Sequence, residues 1–232
     1  KELLLFRRLR RENEPRYKRI LEEFKVSFIH HSLSLEGNPI TLSQTRKILK
    51  DKIIPSNLKS DDVDEVKNYQ KALNQMLADS QDKKPLTIQT ILDYHVLAMG
   101  HNLSIAGKIR KTEVFIKGNP YFRITKANKI EAELNKLLIE YNQFLKKSPS
   151  LKEILAFAVY FHNEFQHIHP FEDGNSRTTR LITFHLLQSK GISVFDMPFG
   201  LLDEYLSYTK GSKKREDSKL YQNLQKIILS NL

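Results

Sequence analysis

The chain has 232 residues, of which 40% are hydrophobic and 28% charged, as expected for a globular protein with a substantial core. It contains no cysteine, which excludes disulfides and thiolate metal sites and fits a cytoplasmic protein. No stretch reaches the length of a membrane span, and no signal peptide is visible. We therefore expect a cytoplasmic protein that has no membrane partner.

The formal net charge of +11 has two interpretations. A basic surface can bind nucleic acid or another anionic partner. Alternatively, the lysines are spread over solvated helix faces, which we favour because the sequence has no basic stripe interleaved with aromatic residues and no helix-turn-helix pattern. No nucleic-acid partner is therefore expected, and a homo-oligomer is left open.

Apolar residues recur at helical spacing through most of the chain. After a lead-in at residues 1–14, Pro15 begins a helix that runs to about Leu35 and stops at Gly37-Asn38-Pro39, because proline cannot continue a helix. Thr41 begins a capping box that opens the next helix. Further helices are predicted at about 61–79, after Thr87, from Ile130 to Leu145, on both sides of residues 169–180, near 199–209 and at 217–231.

Residues 100–125 have a different character, because glycine and proline separate two short β-prone runs. We interpret these runs as a small β-hairpin flap, formed by Val114, Phe115, Ile116, Tyr121, Phe122 and Ile124. The sequence as a whole predicts one all-α domain from residue 15 to residue 232 that carries this flap.

The run His-Pro-Phe-Glu-Asp-Gly-Asn-Ser-Arg-Thr-Thr-Arg, residues 169–180, lies between two apolar helical stretches. Its Gly-Asn-Ser turn delivers the start of a helix, where free N–H groups suit phosphate. Arg177 and Arg180 share a helical face and can bind one anion. Asp173 can hold a magnesium ion, and His169 can take a proton from a hydroxyl. The run therefore indicates nucleotide phosphoryl chemistry.

The same run resembles the core motif of the Fic family, H-x-F-x-[D/E]-G-N-G-R-x-x-R. The matching residues are His169, Phe171, Asp173, Gly174, Asn175, Arg177 and Arg180. The resemblance implies an all-α Fic-type helical bundle that transfers AMP from ATP to a Ser, Thr or Tyr hydroxyl of a target protein.

The resemblance also implies a role for each matching residue. The motif histidine, here His169, would deprotonate the target hydroxyl, and Asp173 would hold Mg²⁺. Arg180 would bind the γ-phosphate, and Arg177 would assist with charge. The phosphates would lie against Gly174, Asn175 and Ser176.

Two further segments are similar to Fic proteins. Ala106–Arg110, followed by Val114–Ile116, resembles the approach to the flap that docks a target segment by strand addition. Ser32 to Gly37, with Glu36 between them, resembles the inhibitory motif [S/T]-x-x-x-E-[G/N]. The resemblance implies that Glu36, on an N-terminal helix at about 15–37, pairs with Arg180 and hinders productive ATP binding. Ser32 would hydrogen-bond toward Asn175, although Glu36 also fits an ordinary, solvated helix end.

One residue departs from the family pattern, because Ser176 stands where most members have glycine. If this residue had a positive φ, serine would distort the phosphate nest at a cost of about 1–2 kcal/mol. If it lay in the first helical turn, serine would be acceptable, and we favour this second case. The substitution puts in doubt both the strength of ATP binding and the group that is transferred.

Two alternative functions use the same residues. A degenerate Fic fold, impaired by Ser176, would bind a nucleotide or a protein without catalysis. A metal-dependent phosphoesterase would instead use a cluster formed by His162, Glu164, His167, His169 and Asp173, although their spacing matches no standard zinc motif. His95, on an apolar helix face, is interpreted as a core histidine.

Overall fold

The computed structural model describes residues 14–116, 119–192 and 213–230, and in these ranges all regular secondary structure is helical. The helices are α1 (Glu14–Ser34), α2 (Leu42–Arg46), which continues into a π-helical turn (Lys47–Asp51), α3 (Ser60–Gln81), α4 (Ile88–Ala98), a 3₁₀ turn (Ala127–Lys129), α5 (Ile130–Leu145), α6 (Leu151–Ile168), α7 (Asn175–Ser189) and α8 (Asp217–Ser230). The all-α prediction is confirmed. The lead-in, apart from its last residue, and the predicted helix near 199–209 lie outside the described residues.

Local sequence signals set several helix ends. Thr41 and Gln44 form the predicted capping box, in which each side chain bonds the backbone N–H of the other residue. The Thr87 hydroxyl accepts a hydrogen bond from the N–H of Thr90 and caps α4. Helix α1 ends at Ser34, and Gly37 follows with φ +91°, in the left-handed region that favours glycine. These predictions are therefore confirmed.

Helix α7 lies at the centre of the protein, in contact with α1, α3, α4 and α6. All of its residues are buried except Ser176 and Gln188. A helix that is buried around its whole circumference must place its polar side chains inside the protein, where each requires a partner. Arg177 and Arg180, at the start of α7, therefore lie in the interior, beside side chains from α1, from the turn that follows it and from α3.

The predicted flap forms no strand in its described residues, which are all of the segment except residues 117 and 118. The hairpin is therefore not confirmed. Hydrogen bonds fix the second half of the segment to its surroundings instead, from the N–H of Arg123 to the carbonyl of Lys213 and from the N–H of Thr125 to the carbonyl of His167. Backbone groups that bond loops and a helix end in this way are not available for a strand ladder.

None of the helices in the described ranges combines the length and the apolar character that crossing a bilayer requires.

Candidate active site

The loop between α6 and α7 carries the residues of the central run. Helix α6 ends where His169 adopts a left-handed conformation (φ 48°), while its N–H still bonds the carbonyl of Phe165. Helix α7 begins after Gly174, which is also left-handed (φ 77°). Between these two residues, the buried Phe171 ring stacks on His95 with a centroid separation of 3.7 Å. The loop is thus held at both ends and in the middle.

Arg110 fastens this loop to the segment that leads into the flap. Its backbone N–H donates to the carbonyl of Pro170 at 2.9 Å, and its side-chain Nε donates to the carbonyl of His169 at 2.7 Å. The buried guanidinium also donates to the carbonyls of Thr112 and Thr125. Arg110 therefore links the backbone of His169 to both ends of the flap segment. Spacing alone did not predict this link, because Arg110 lies 59 residues before His169.

The environment of His169 keeps its imidazole neutral. Burial lowers the pKa of His169 to about 4, and the charge of Arg110 acts in the same direction. The Gln166 carbonyl opposes this shift by favouring the protonated form, although Nδ1 is buried without a hydrogen bond of good geometry. A neutral imidazole can accept a proton from a hydroxyl, which is the role predicted for His169.

His95 on α4 bonds two loops at once. Its Nδ1 accepts the N–H of Gly107 at 2.8 Å, so the ring proton is on Nε2, which donates to the carbonyl of Asp173 at 2.9 Å. Burial lowers the pKa of His95 to about 4, which keeps this neutral tautomer at neutral pH. His95 is buried and bonded, as predicted for a core histidine, and it also fixes the loop that carries Asp173.

Gly174 is expected to tolerate no side chain. Besides its positive φ, a Cβ atom would lie 2.8 Å from Sδ of Met99 and 2.9 Å from Nε2 of His95. Gly174→Ala is therefore expected to lower the free energy of unfolding by about 1–2 kcal/mol for the left-handed backbone and by roughly 1–3 kcal/mol more for overpacking. Urea denaturation measures this loss.

Gly37→Ala is the matched control for Gly174→Ala, because Gly37 also has a positive φ (+91°), but its Cβ would meet nothing within 4 Å. It should lose only the backbone contribution, about 1–2 kcal/mol. Equal losses in the two variants would contradict the packing argument for Gly174.

The first turn of α7 presents backbone N–H groups without a side-chain cap. Ser176 is helical and has no positive φ, so the backbone strain considered for serine does not arise. The Asn175 side chain accepts the N–H of Phe171 at 2.9 Å and donates to its carbonyl at 2.8 Å. Asn175 therefore holds the loop with its side chain, and only its backbone N–H remains for a phosphate.

Each arginine of the run is paired with a carboxylate from another helix or turn. Nη2 of Arg180 donates to Oε1 of Glu36 at 2.6 Å, and the Arg180 side chain is 2% exposed. Nη1 of Arg177 donates to Glu65 on α3, while its Nη2 donates to Asp173 at 3.0 Å. The residues predicted for phosphate binding and for inhibition thus lie in direct contact. Glu65 was not identified from the sequence.

The sequence predicted a hydrogen bond from Ser32 to Asn175, but Ser32 has other partners. Its hydroxyl accepts from Nε of Arg180 at 2.6 Å and donates to the Tyr69 hydroxyl at 2.8 Å. Tyr69 in turn donates to the carbonyl of Arg177 at 3.3 Å. The expectation was wrong because the Asn175 side chain is already engaged with the loop.

Asp173 has the chemistry of a magnesium ligand. Burial opposes its ionisation, but the charge of Arg177 and the N–H of Gly174 hold the pKa of Asp173 below its ordinary value. Its side chain is 61% exposed, so an anionic oxygen is accessible from solvent. Mg²⁺ commonly binds one or two protein carboxylates together with nucleotide phosphates.

The histidines of the alternative metal cluster do not converge. Nδ1 of His167 bonds the carbonyl of Arg123 at 2.8 Å, and its ring stacks on Phe122. His162 is buried beside Asn163. Throughout the part of the chain that the structure describes, no three His, Asp or Glu side chains are grouped so as to hold a metal ion.

The residues predicted for the flap divide into two groups. Phe115 and Tyr121 are 82% and 72% exposed, whereas Phe122 is buried under His167. Val114, Ile116 and Ile124 are half-buried. The outward side chains remain available to a partner, and the buried Phe122 fixes the segment to α6.

Comparison with known proteins agrees with this geometry. The sequence model of the Fic/DOC family matches residues 85–187, which include the whole loop between α6 and α7. The chain is 30% identical over 202 residues to a protein adenylyltransferase Fic from Drosophila persimilis, and 31% identical over 196 residues to one from Nematostella vectensis. Residues 85–187 form a domain of the Fic/DOC family.

The chain spans only part of its curated relatives. The matches cover 86% and 82% of the chain, but 38% of the Drosophila protein and 44% of the Nematostella protein.

Solved structures share the Fic fold. A Fic domain-containing signaling protein from Bacteroides thetaiotaomicron superposes with a TM-score of 0.83 at 21% identity, over 99% of this chain and 93% of that chain. Fic-1 from C. elegans gives a TM-score of 0.77 at 22% identity, over 99% of this chain and 69% of that chain. At these identities, the similarity establishes the fold of the chain.

Proposed function

We propose that this protein transfers AMP from ATP to a serine, threonine or tyrosine hydroxyl of a target protein, and that Glu36 restrains the transfer. The observation that carries the proposal is the position of His169, which is half-buried, neutral and six residues before Asn175, the first residue of α7. The names of the two curated relatives, both protein adenylyltransferases, support the same reaction.

The reaction requires a base and an electrophile in one place. The neutral imidazole of His169 takes the proton of the target hydroxyl as its oxygen forms a bond to the α-phosphorus of ATP, and the bond from that phosphorus to pyrophosphate breaks. The N–H groups at the start of α7 and the guanidinium of Arg180 bind the polyphosphate. Nε of Arg177, which is buried without a partner, offers a further donor. Catalysis then depends mainly on positioning and on charge stabilisation.

Asp173 is the proposed ligand for Mg²⁺ that accompanies ATP, because its carboxylate is ionised and accessible. The ion, when bound, neutralises part of the charge on the phosphates. Arg177 keeps the Asp173 side chain oriented through its 3.0 Å hydrogen bond.

Inhibition follows from the same geometry. The Glu36 carboxylate uses the Nη2 donor of Arg180 that the γ-phosphate would need, and its charge repels the nucleotide. Ser32 adds to the inhibition, because its hydroxyl and carbonyl accept hydrogen bonds from Nε and Nη2 of Arg180 that a phosphate would otherwise receive. ATP must therefore displace Glu36 before Arg180 can bind a phosphate.

The flap segment is the proposed place for the target. The side chains of Phe115 and Tyr121 point into solvent, and Arg110 links the backbone of this segment to that of His169. A target chain that pairs with the segment would bring its hydroxyl close to the imidazole.

Transfer from ATP labelled at either the α- or the γ-phosphate tests the proposal, with Glu36→Gly as the enzyme and a cell extract as the source of acceptors. Label from the α-phosphate, but not from the γ-phosphate, should appear on protein. Label from the γ-phosphate alone would indicate phosphorylation. ATP binding without labelled protein would support the binding module, and metal-dependent phosphate release would support the phosphoesterase.

A further inference from the structure

Glu65 connects two parts of the active site that the sequence does not relate. It lies in the first half of α3, 112 residues before Arg177, and its Oε1 accepts from Nη1 of that arginine. Its Oε2 accepts from Nδ2 of Asn38 at 2.8 Å. The side chains of Glu65 and Arg177 are 12% and 5% exposed, so water screens this ion pair weakly.

Arg177 lies between two carboxylates of different accessibility. Asp173 is at the rim of the site with its side chain 61% exposed, where the proposed function places the nucleotide and the cation, whereas the Glu65 side chain is only 12% exposed. Any cation that binds Asp173 competes with Nη2 of Arg177 for its oxygens. Glu65 is then the partner that still compensates the buried guanidinium and fixes its direction.

Asn38 joins Glu65 to the turn that carries Glu36. Besides its bond to Glu65, Nδ2 of Asn38 donates to the carbonyl of Asp62 at 3.1 Å, and its Oδ1 accepts the N–H of Ile40 at 3.0 Å. The side chain therefore ties the chain just after Glu36 to the start of α3. Because only Gly37 separates Glu36 from Asn38, these bonds hold the backbone of Glu36 near Arg180.

We propose that Glu65 is a positioning residue that aligns Arg177 for AMP transfer and, through Asn38, also anchors the inhibitory turn of Glu36. The Glu65 carboxylate then holds Arg177 during transfer and holds the inhibitory turn while Glu36 is paired with Arg180. This inference rests on the proposed function. It adds that the inhibitory turn has a second attachment, independent of the Glu36–Arg180 pair.

The test compares two variants at the contact between Asn38 and Glu65: Asn38→Ala removes the hydrogen-bond donor, whereas Glu65→Gln keeps one acceptor oxygen but removes the charge that faces Arg177. Asn38→Ala should release the turn and raise the rate of α-label transfer by about 5-fold or more over the unmodified chain. In the Glu36→Gly background it should add nothing, because the restraint is already gone. Glu65→Gln should instead lower transfer at least about tenfold in the Glu36→Gly background, since Arg177 loses its buried charge partner.

A purely structural role for Glu65 and Asn38 would shift both rates in the same direction. Asp64→Asn is the matched control, because Asp64 is the exposed neighbour of Glu65 and carries the same charge. It should leave the rate unchanged. Thermal unfolding of each variant reports whether it is folded, and Glu65→Asp, which keeps the charge but shortens the side chain, replaces Glu65→Gln if that variant does not fold.

Two results would overturn the inference. One is an Asn38→Ala chain that transfers no faster than the unmodified chain while Glu36→Gly is active. The other is undiminished transfer by Glu65→Gln in the Glu36→Gly background. If Glu36→Gly itself transfers no label, the proposed function fails instead. Calorimetry still tests the anchor in that case, because Asn38→Ala should bind ATP more tightly, and an unchanged affinity would overturn it.

Discussion

Replacing His169 with alanine, in the Glu36→Gly background, is expected to reduce α-label transfer by at least about 100-fold. The imidazole is the proposed proton acceptor, and its low pKa keeps it unprotonated at neutral pH. ATP binding should change little, because the side chain contributes no positive charge at that pH. The measurements are the initial rate of label transfer and the calorimetric affinity for ATP.

His167→Ala is the control for His169→Ala. His167 lies two residues earlier, and its Nδ1 bonds the carbonyl of Arg123, so it is not a candidate for the catalytic base. We expect it to retain most of the transfer activity. Comparable loss in both variants would contradict a single histidine base.

The protonation of His169 is measurable without turnover. Burial and Arg110 lower its pKa to about 4, whereas an unfolded histidine titrates near its ordinary value of 6.5. The folded state therefore binds fewer protons than the unfolded state between these values, and this histidine costs stability as the pH falls from about 6.5 toward 4. In an NMR titration, the imidazole signal that is missing from His169→Ala should move near pH 4. A midpoint near 6.5 would contradict a buried neutral base.

Replacing Glu36 with glycine is expected to raise AMP transfer by about 10- to 100-fold. The Glu36 carboxylate lies 2.6 Å from Nη2 of Arg180, whose side chain is nearly inaccessible to solvent. Removing one partner of such an ion pair leaves the other charge uncompensated, which is unfavourable. Removal of Glu36 leaves Arg180 in need of an anion, which the γ-phosphate supplies. ATP should therefore bind more tightly, and both quantities can be measured on the same preparation.

Glu22→Ala provides the control for lost negative charge, because Glu22 lies on α1 with its side chain 51% exposed, beside Lys25. The exposed ion pair between Glu22 and Lys25 contributes little to stability, so transfer should stay at the level of the unmodified chain. A Glu36→Gly chain that binds ATP no better than the unmodified chain would refute the inhibitory role of Glu36.

The sequence determined the features that depend on covalent neighbours. Helical spacing and caps such as Thr41 and Thr87 predicted helices whose ends agree with the structure, because a cap bonds N–H groups only two or three residues away. The run from His169 to Arg180 was readable for the same reason, since one short loop and one helical turn carry all of its polar groups.

The tertiary structure decided which distant groups meet. The strand predicted at Val114–Ile116 is not present among the described residues. A strand forms only where another strand can pair with it, so the β-propensity of the run was not sufficient. Ser32 turned toward Tyr69 and Arg180 because the side chain of Asn175 was already used within its own loop. Neither outcome is encoded in local spacing.

The contacts that organise the site join residues that lie far apart in the sequence. Arg110 reaches the carbonyl of His169 across 59 residues, His95 reaches Asp173 across 78, and Glu65 reaches Arg177 across 112. In each case the partner was set by how the chain packs around α7, and not by local spacing. The catalytic and phosphate-binding residue types of the loop were therefore predictable from consecutive residues. The partners that position and restrain these side chains depend on the tertiary packing, which removes the charges from water and brings distant residues together.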